Sequence, residues 1–129
     1  MKRKVINDEI SFFYCKEDIK KCPSVYLLNF YYDDNKCLRY IGSAHEALKR
    51  GVEHYYTDLK DEFTNAKRVE LKILRNCESR IEAYYYEKLY IKAYKKAIKS
   101  RIIDVETLVK HTGYVVDEYS KTNLLNKIS

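Results

Sequence analysis

The sequence predicts an α+β domain, in which helices flank a small three-stranded antiparallel sheet and a helical appendage follows at the C-terminus. Two apolar runs separated by a polar turn predict a β-hairpin. A third run alternates apolar and polar residues, as a half-buried strand does. Segments with apolar residues at helical spacing follow the hairpin and the third strand. This order of elements is typical of helices packed on an antiparallel sheet.

The hairpin comes first along the domain. Residues 25–32 are apolar and aromatic, residues 33–36 have turn chemistry, and residues 37–41 form the returning strand. If paired residues have numbers that sum to 68, Tyr26 and Tyr40 lie on the same face of the sheet. A slip of one residue would put them on opposite faces.

Two Ser-x-x-Glu sequences predict where the main helices begin. Ser43 and Glu46 form one capping box, which gives Glu46 a structural role. Ser79 and Glu82 form a second one, ahead of a long helix that is expected to reach about Ile98. The first helix has one apolar stripe: Ala44, Ala47, Leu48, Gly51 and Tyr55. The third strand is centred on Val69, Leu71 and Ile73, and the polar segment before it has no clear pattern.

The chain of 129 residues predicts one domain with short additions at both ends. Residues 1–22 are an N-terminal extension whose aromatic cluster Phe12–Tyr14 packs on the main domain. Residues 23–101 form the main domain. Residues 102–129 form the appendage, with a short helix from Asp104 to Gly113.

Composition narrows the class of protein. The net charge of +6 and the pI near 9.0 suit an anionic partner. No apolar run could span a bilayer and the basic N-terminus lacks an apolar signal core, so we expect an intracellular protein without a membrane partner. The four cysteines match no zinc spacing, which favours reduced thiols over a disulfide or a metal site. The 14 tyrosines are unusual for this length.

One carboxylate stands out on the long helix. Glu87 lies within the apolar stripe, where an ionised group is costly unless it is paired, hydrogen-bonded or bound to a cation. Both a buried pair with an arginine or a tyrosine and a metal site remain open from the pattern alone. The stripe consists of Ala83, Tyr86, Tyr90, Ile91, Tyr94, Ala97 and Ile98.

Arg50 and His54 are four residues apart, so they lie one turn apart on the first helix, beside its apolar stripe. A guanidinium binds phosphate bidentately, and an imidazole can bind phosphate or transfer a proton near neutral pH. A solvated helix flank explains the same spacing. Tyr26 and Tyr40, taken singly, are explained by strand packing.

Taken together, these residues carry a resemblance. Val25-Tyr26 lies on the first strand, Tyr40-Ile41-Gly42-Ser43 closes the second, Arg50 and His54 follow, and Glu87 precedes Tyr90-Ile91. This arrangement, over roughly residues 24–95, resembles the GIY-YIG nuclease family of homing endonucleases, some restriction enzymes and the incision subunit of bacterial excision repair. The chain departs from the family at two positions. Ser24 replaces the leading glycine of the first motif, and Gly113-Tyr114 lies late for the family's asparagine turn.

The resemblance implies a metal-dependent endonuclease that hydrolyses DNA to a 5′-phosphate and a 3′-hydroxyl. Glu87 would hold one Mg²⁺ or Mn²⁺, and duplex or branched DNA would be the partner. Tyr26 would accept a proton from the attacking water, Tyr40 would orient the water or phosphate, and Arg50 would stabilise the developing charge. His54 would act as a base or position a phosphate.

DNA binding is expected from basic residues. Residues 88–103 contain no acidic residue, and their basic side chains lie mostly opposite the apolar stripe, as a phosphate-binding ridge or as an ordinary solvated face. Two other functions stay open. One is a catalytically inactive nucleic-acid-binding protein, with Val109 and Gly113 in a short helix-turn-helix pattern, and the other is a tyrosine-rich interaction module. The candidate DNA-binding residues are Lys49, Lys92, Lys95, Lys96, Lys99 and Arg101, and Lys88 also lies on the ridge.

Overall fold

The computed structural model describes residues 1–32, 36–100 and 121–124, and for residues 36, 95–100 and 121–124 only the course of the backbone. Six strands form one mixed sheet in the order β1-β2-β5-β3-β4-β6. The strands are β1 (Lys2–Val5), β2 (Ser11–Tyr14), β3 (Ser24–Tyr31), β4 (Lys36–Ala44), β5 (Arg68–Asn76) and β6 (Lys121–Leu124). The helices are a 3₁₀ turn (Lys16–Asp18), α1 (Ala47–Thr57), α2 (Lys60–Asn65) and α3 (Arg80–Ser100).

The α+β class is confirmed, but the prediction of a three-stranded sheet is wrong. The three predicted strands are β3, β4 and β5, and β3 pairs antiparallel with both of the others. The segment predicted as an N-terminal extension adds β1 and β2, of which β2 runs parallel to β5. All four residues of β1 are exposed. The strand therefore needs no apolar residue on either face, and its sequence shows no alternation that would predict it. Backbone pairing with β2 keeps β1 in the sheet.

The C-terminal region also differs from the prediction where it is described. Residues 121–124, expected in a helical appendage, form β6, which pairs parallel with β4 as far as Arg39. A strand on a sheet edge depends on long-range pairing and leaves little local pattern. The helix predicted from Asp104 to Gly113, the pattern at Val109 and the turn at residues 33–35 lie outside the described residues.

The predicted hairpin register is confirmed. Tyr26 lies opposite Gly42, and Leu28 lies opposite Tyr40, so each pair sums to 68. Tyr26 and Tyr40 therefore lie on the same face of the sheet.

Helices cover both faces of the sheet. One face, under α1 and α2, packs Tyr26, Leu28 and Phe30 with Phe12 of β2 and Phe63 of α2. Because side chains alternate along a strand, the neighbouring residues of β3 point to the opposite face, under α3. A strand buried on both faces is apolar at nearly every position, as β3 is. The second core consists of Val25, Leu27, Ile41, Cys77, Ala83, Ile91 and Tyr94.

The two capping predictions have different outcomes. Ser79 Oγ accepts the backbone N–H of Glu82 at 3.1 Å, which confirms the start of α3. The first capping box is wrong: Ser43 is still in β4, and α1 begins at Ala47 with Glu46 as an N-cap that makes no side-chain capping bond. Pairing of Ser43 with Val25 on β3 extends the strand through the expected cap. No helix in the described part of the chain has both the length and the apolarity that crossing a membrane requires.

Substituting Phe12 tests whether the N-terminal strands belong to the domain core. Phe12 is fully buried, and its neighbour Phe13 is only partly buried. We expect Phe12→Ala to lower the free energy of unfolding by about 3–5 kcal/mol, because it leaves a cavity between α1, α2 and the sheet. Chemical denaturation measures the loss, and Phe13→Ala serves as the control with a clearly smaller effect. Equal losses in the two variants would contradict the packing of β2 into the core.

Candidate active site

The centre of the candidate site is a hydrogen bond between Tyr26 and His54. Tyr26 points from the middle of the sheet toward α1, and it is 1% exposed. His54 lies on the sheet-facing side of α1 and is fully buried. The Tyr26 hydroxyl lies 2.6 Å from Nε2 of His54. His54 was expected beside the apolar stripe of the first helix, but the structure puts it in the core, in contact with both Tyr26 and Tyr40.

Asp58 completes this arrangement, and the sequence analysis missed it. His54 Nδ1 lies 2.7 Å from Oδ1 of Asp58, which follows the last residue of α1. Thr57 Oγ1 donates to the same carboxylate oxygen at 3.0 Å. The signal in the sequence was the spacing of four residues, which brings two side chains together on a helix.

The charge states of His54, Asp58 and Tyr26 decide which group donates in each of the two hydrogen bonds. Burial lowers the pKa of His54, although the bond to Asp58 opposes this, so the imidazole is neutral at neutral pH. Partial burial acts to raise the pKa of Asp58, but the interactions with His54, the hydrogen bond from Thr57 and the charge of Arg50 together outweigh it, and the net shift is downward. An ionised carboxylate only accepts, so Nδ1 carries the imidazole hydrogen and Nε2 is free to accept. Burial raises the pKa of Tyr26, whose protonated hydroxyl therefore donates to Nε2.

Tyr40 and Gly42 shape the space around this pair. The ring of Tyr40 meets His54 edge-on, with ring centroids 4.7 Å apart. Its hydroxyl is half-buried and forms no hydrogen bond with any other residue that the structure describes. A Cβ at Gly42 would lie 2.5 Å from the Tyr26 hydroxyl oxygen and 3.0 Å from Cε1 of Tyr40. The glycine is therefore required by the close approach of both tyrosines.

Arg50 brings a positive charge to the same side of the sheet. It lies one turn before His54 on α1, with 36% of its side chain exposed, and its Nη1 is 3.3 Å from Oε2 of Glu53. Its charge acts to lower the pKa values of Tyr26 and Tyr40, against the larger effect of burial. The guanidinium thus lies near both tyrosine hydroxyls and remains open to solvent.

Glu87 approaches from α3, which covers the opposite face. Ser43 at the end of β4 acts to lower the pKa of Glu87 through both its hydroxyl and its backbone N–H, and Arg80 Nη1 donates to Ser43 Oγ at 2.8 Å. Burial raises the pKa of Glu87, while the bonds from Ser43 and the charges of Arg80 and Lys88 oppose the shift. Ser43 was interpreted from the sequence as a helix cap, and its contact with Glu87 was not foreseen.

The end of β4 joins the two halves of the site. Gly42 leaves room for Tyr26 and Tyr40 on one face of the sheet, and the next residue, Ser43, interacts with Glu87 on the other face. The charge of Glu87 reaches both Tyr26 and Tyr40, where it acts to raise their pKa values. Within the described residues, β6 pairs with β4 only up to Arg39, so the segment that carries the site has a neighbouring strand on one side only.

The predicted DNA-binding residues are only partly described. Lys49 on α1 and Lys92 on α3 are exposed. On α3, Ala83, Ile91 and Tyr94 are buried, so the predicted apolar stripe is confirmed up to Tyr94. The side chains of Lys95, Lys96 and Lys99, and the whole of Arg101, lie outside the described residues.

Comparison with protein-family models, with curated proteins and with solved structures finds no match to this chain.

Substituting Gly42 tests the packing at the site. We expect Gly42→Ala to lower the free energy of unfolding by about 1–3 kcal/mol, because the added methyl group overlaps the Tyr26 hydroxyl. It should also break the bond to His54, which ¹⁵N NMR of the imidazole detects. In a Tyr26→Leu background both close contacts, with the Tyr26 hydroxyl oxygen and with its Cζ at 2.7 Å, are absent, so Gly42→Ala should cost less. An undiminished cost in that background would contradict the assigned clash.

Proposed function

We propose that this protein is a metal-dependent endonuclease that hydrolyses phosphodiester bonds in DNA. One observation carries the proposal. A directed hydrogen-bond chain from Tyr26 through His54 to Asp58 ends beside Arg50 and within electrostatic reach of the Glu87 carboxylate. In this proposal Tyr26 is the proton acceptor, Arg50 the phosphate-binding cation and Glu87 the oxygen ligand, which is the set that phosphodiester hydrolysis needs. The likeness of these residues to the GIY-YIG motifs supports the same reaction.

The residues at Glu87 fit one hydrated divalent cation. The described residues contain no cluster of three or more His, Cys, Asp or Glu side chains, so a fully protein-ligated ion has no candidate position there. Mg²⁺ keeps several waters and takes few carboxylates together with substrate phosphate oxygens. Glu87 would supply the carboxylate, and Ser43, which acts to lower the pKa of Glu87, favours its ionised form. When bound, such an ion would offset negative charge on the phosphate during attack and departure of the leaving oxygen.

The Tyr26 chain supplies the proton transfer. Tyr26 is almost completely buried, so a bulky phosphate is excluded from its hydroxyl, and a role as proton acceptor for a water suits it better than a role as covalent nucleophile. As the water oxygen attacks phosphorus, its proton passes to the Tyr26 oxygen and the tyrosine proton passes to Nε2 of His54. Asp58 stabilises the resulting imidazolium and holds the ring in the required tautomer.

Arg50 and Tyr40 act on the phosphate itself. Arg50 is exposed and its bond to Glu53 is weak at 3.3 Å, so the guanidinium can turn to bind a phosphate oxygen. The hydroxyl of Tyr40 has no partner among the described residues and can donate to the same group. Both donors are strongest where charge accumulates during attack. The bond from phosphorus to the 3′-oxygen then breaks, and the leaving oxygen takes a proton from a solvent water, which leaves a 5′-phosphate and a 3′-hydroxyl.

A catalytically inactive nucleic-acid-binding protein is the second candidate. The burial of Tyr26 and His54 also serves as core packing, and basic surface residues such as Lys49 and Lys92 bind phosphates without any reaction. Cleavage that depends on a divalent metal separates the two functions, because only the first requires it.

Glu87 and Arg50 test the reaction. Supercoiled plasmid is incubated with Mg²⁺ or Mn²⁺, with and without a chelator, and nicked and linear products are measured. Wild-type protein should cut only without the chelator. Glu87→Gln should abolish cleavage because it removes the charged ligand, and Arg50→Ala should slow it by roughly 10²–10³-fold, the usual loss for one preorganised donor.

Glu78→Gln is the matched control for Glu87, because Glu78 is an exposed carboxylate just before α3. It should cut at the wild-type rate, and all three variants should still bind DNA. Cleavage by Glu87→Gln at the wild-type rate would refute the metal-ligand assignment. Failure of the wild type to cut with any divalent metal would favour the binding protein.

Asp58→Asn tests the hydrogen-bond chain separately from the metal site. An amide in place of the carboxylate can donate to Nδ1, which moves the imidazole hydrogen to Nε2 and leaves no acceptor for the Tyr26 proton. We expect cleavage to fall on the order of 10²–10⁴-fold while the need for metal is unchanged. The substitution also removes a negative charge that favours the imidazolium, so the pKa of His54 should fall further, as NMR titration measures.

Asp61→Asn is the control, since Asp61 is an exposed carboxylate in the first turn of α2. It should change neither the rate nor the pKa of His54. If Asp58→Asn shifts the pKa of His54 but leaves the cleavage rate unchanged, the chain is structural and the proton takes another route.

A further inference from the structure

A cleft of about 960 Å³ lies next to the candidate active site, and none of the assigned catalytic groups lines it. It is bounded by β1, by the segment that leads from the 3₁₀ turn into β3, by the start of α1 and by β5. The volume is at the upper end of the ~300–1,000 Å³ that is usual for ligand sites. This N-terminal cleft is therefore large enough for a ligand of several chemical groups.

Basic side chains dominate the charge of the N-terminal cleft. The lining includes Lys4, Lys20, Lys21 and Lys49, against one acidic residue, Glu46. All four lysines are exposed, and none forms an ion pair with another residue in the part of the chain that the structure describes. The lysines come from three separate segments of the chain, which the fold brings together around one concavity. Such a concentration of uncompensated positive charge fits an anionic ligand.

Most of the other lining residues are apolar, apart from Cys22, Ser24, His45 and Asn76. Val5 of β1, Ile19 and Pro23 of the connecting segment, Val52 of α1 and Ile73 of β5 face the cleft between the lysines. A DNA duplex presents phosphates and sugars outward and keeps its bases stacked inside. An unpaired strand can place its bases against an apolar wall while its phosphates reach the lysines. The alternation of charged rim and apolar wall therefore favours a single strand over a duplex.

The N-terminal cleft and the candidate site share two segments of the chain, α1 and the start of β3. Lys49 of the cleft directly precedes Arg50 on α1. Ser24 of the cleft precedes Val25, which pairs with the Glu87 partner Ser43. A strand held in the cleft would thus lead toward the position where Arg50 and Glu87 meet the phosphate.

We propose that the N-terminal cleft binds an unpaired single strand of nucleic acid, with its phosphates on Lys4, Lys20, Lys21 and Lys49 and its bases on the apolar wall. The nuclease would then cut at junctions between single-stranded and double-stranded nucleic acid, such as a flap or a branch. This choice of substrate rests on the proposed function. Binding to the cleft itself needs neither metal nor cleavage. The two proposals can therefore fail separately.

The test is binding of a fluorescent single-stranded dT oligonucleotide, compared with a blunt duplex of equal length, by anisotropy in the presence of a chelator. The triple variant Lys20→Gln/Lys21→Gln/Lys49→Gln should bind the single strand at least about tenfold more weakly, and the slope of log K against log salt should fall by about 2, since each phosphate contact contributes about 0.7. Duplex binding should be weaker in the wild type and less affected by the substitutions.

The matched control is Lys2→Gln/Lys16→Gln/Lys60→Gln, which removes three exposed positive charges that do not line the cleft. It should bind the single strand like the wild type. An equal loss in both triple variants, or tighter binding of the duplex than of the single strand, would overturn the cleft proposal.

Plasmid and flap cleavage by the same variants separates the two proposals. If the triple variant Lys20→Gln/Lys21→Gln/Lys49→Gln loses single-strand affinity but the wild type cuts neither substrate, the cleft proposal is supported and the nuclease proposal is wrong. If the wild type cuts while the cleft variant binds and cuts normally, the nuclease stands and the cleft is wrong.

Discussion

The register between β3 and β4 is the constraint on which the site depends. It sets Tyr26 opposite Gly42, the position where a side chain would overlap the tyrosine hydroxyl. A slip of one residue would turn Tyr26 toward α3 and bring Leu27 beneath α1. His54 would then lose its hydrogen-bond partner inside the core, at a cost of about 1–3 kcal/mol for an unsatisfied buried polar group. Hydrophobic burial on both faces of β3 and this single polar contact therefore favour the same register.

The location of Asp58 explains how an imidazole can be fully buried with both ring nitrogens hydrogen-bonded. The neutral ring keeps both nitrogens hydrogen-bonded, one to Tyr26 inside and one to Asp58 at the end of α1. Asp58 is 47% exposed on its side chain, so its charge stays solvated while its oxygen reaches the buried ring. A carboxylate buried beside the ring would have carried a large desolvation cost. At the end of α1, one hydrogen bond thus joins the buried imidazole of His54 to the solvated carboxylate of Asp58.

The apolar and polar patterns in the sequence predicted the features that depend on residues close together in the chain. The β3–β4 hairpin follows from two apolar runs around a polar turn, and the structure has the register in which paired residues sum to 68. The position of Glu87 on the buried stripe of α3 follows from helical spacing. The sequence did not predict β1, which has no buried side chain, or the strand conformation of Ser43, where pairing with β3 outweighs a capping signal. Asp58 was missed because its role depends on the burial of His54. The burial of His54 depends on how α1 is rotated about its axis on the sheet. The helical pattern in the sequence does not give that rotation, and it placed His54 only beside the apolar stripe.

The balance of charges around the end of β4 bears on the proposed reaction. Arg50, Arg80 and Lys88 are the cations that act on the site, and Glu53, Asp58 and Glu87 are its carboxylates. The two sets are equal in number, so the site is close to neutral before substrate arrives. A phosphodiester adds one negative charge, and attack by water adds more on the phosphorus oxygens. These six groups leave that added charge uncompensated at the reacting phosphorus. The half-buried setting of Glu87 strengthens the electrostatic interactions there, because screening by water is reduced. One divalent cation at Glu87 would supply two positive charges where the deficit arises. A nuclease with this arrangement should therefore need its metal to offset charge on the phosphate, since Tyr26, His54 and Asp58 already provide the route for the proton.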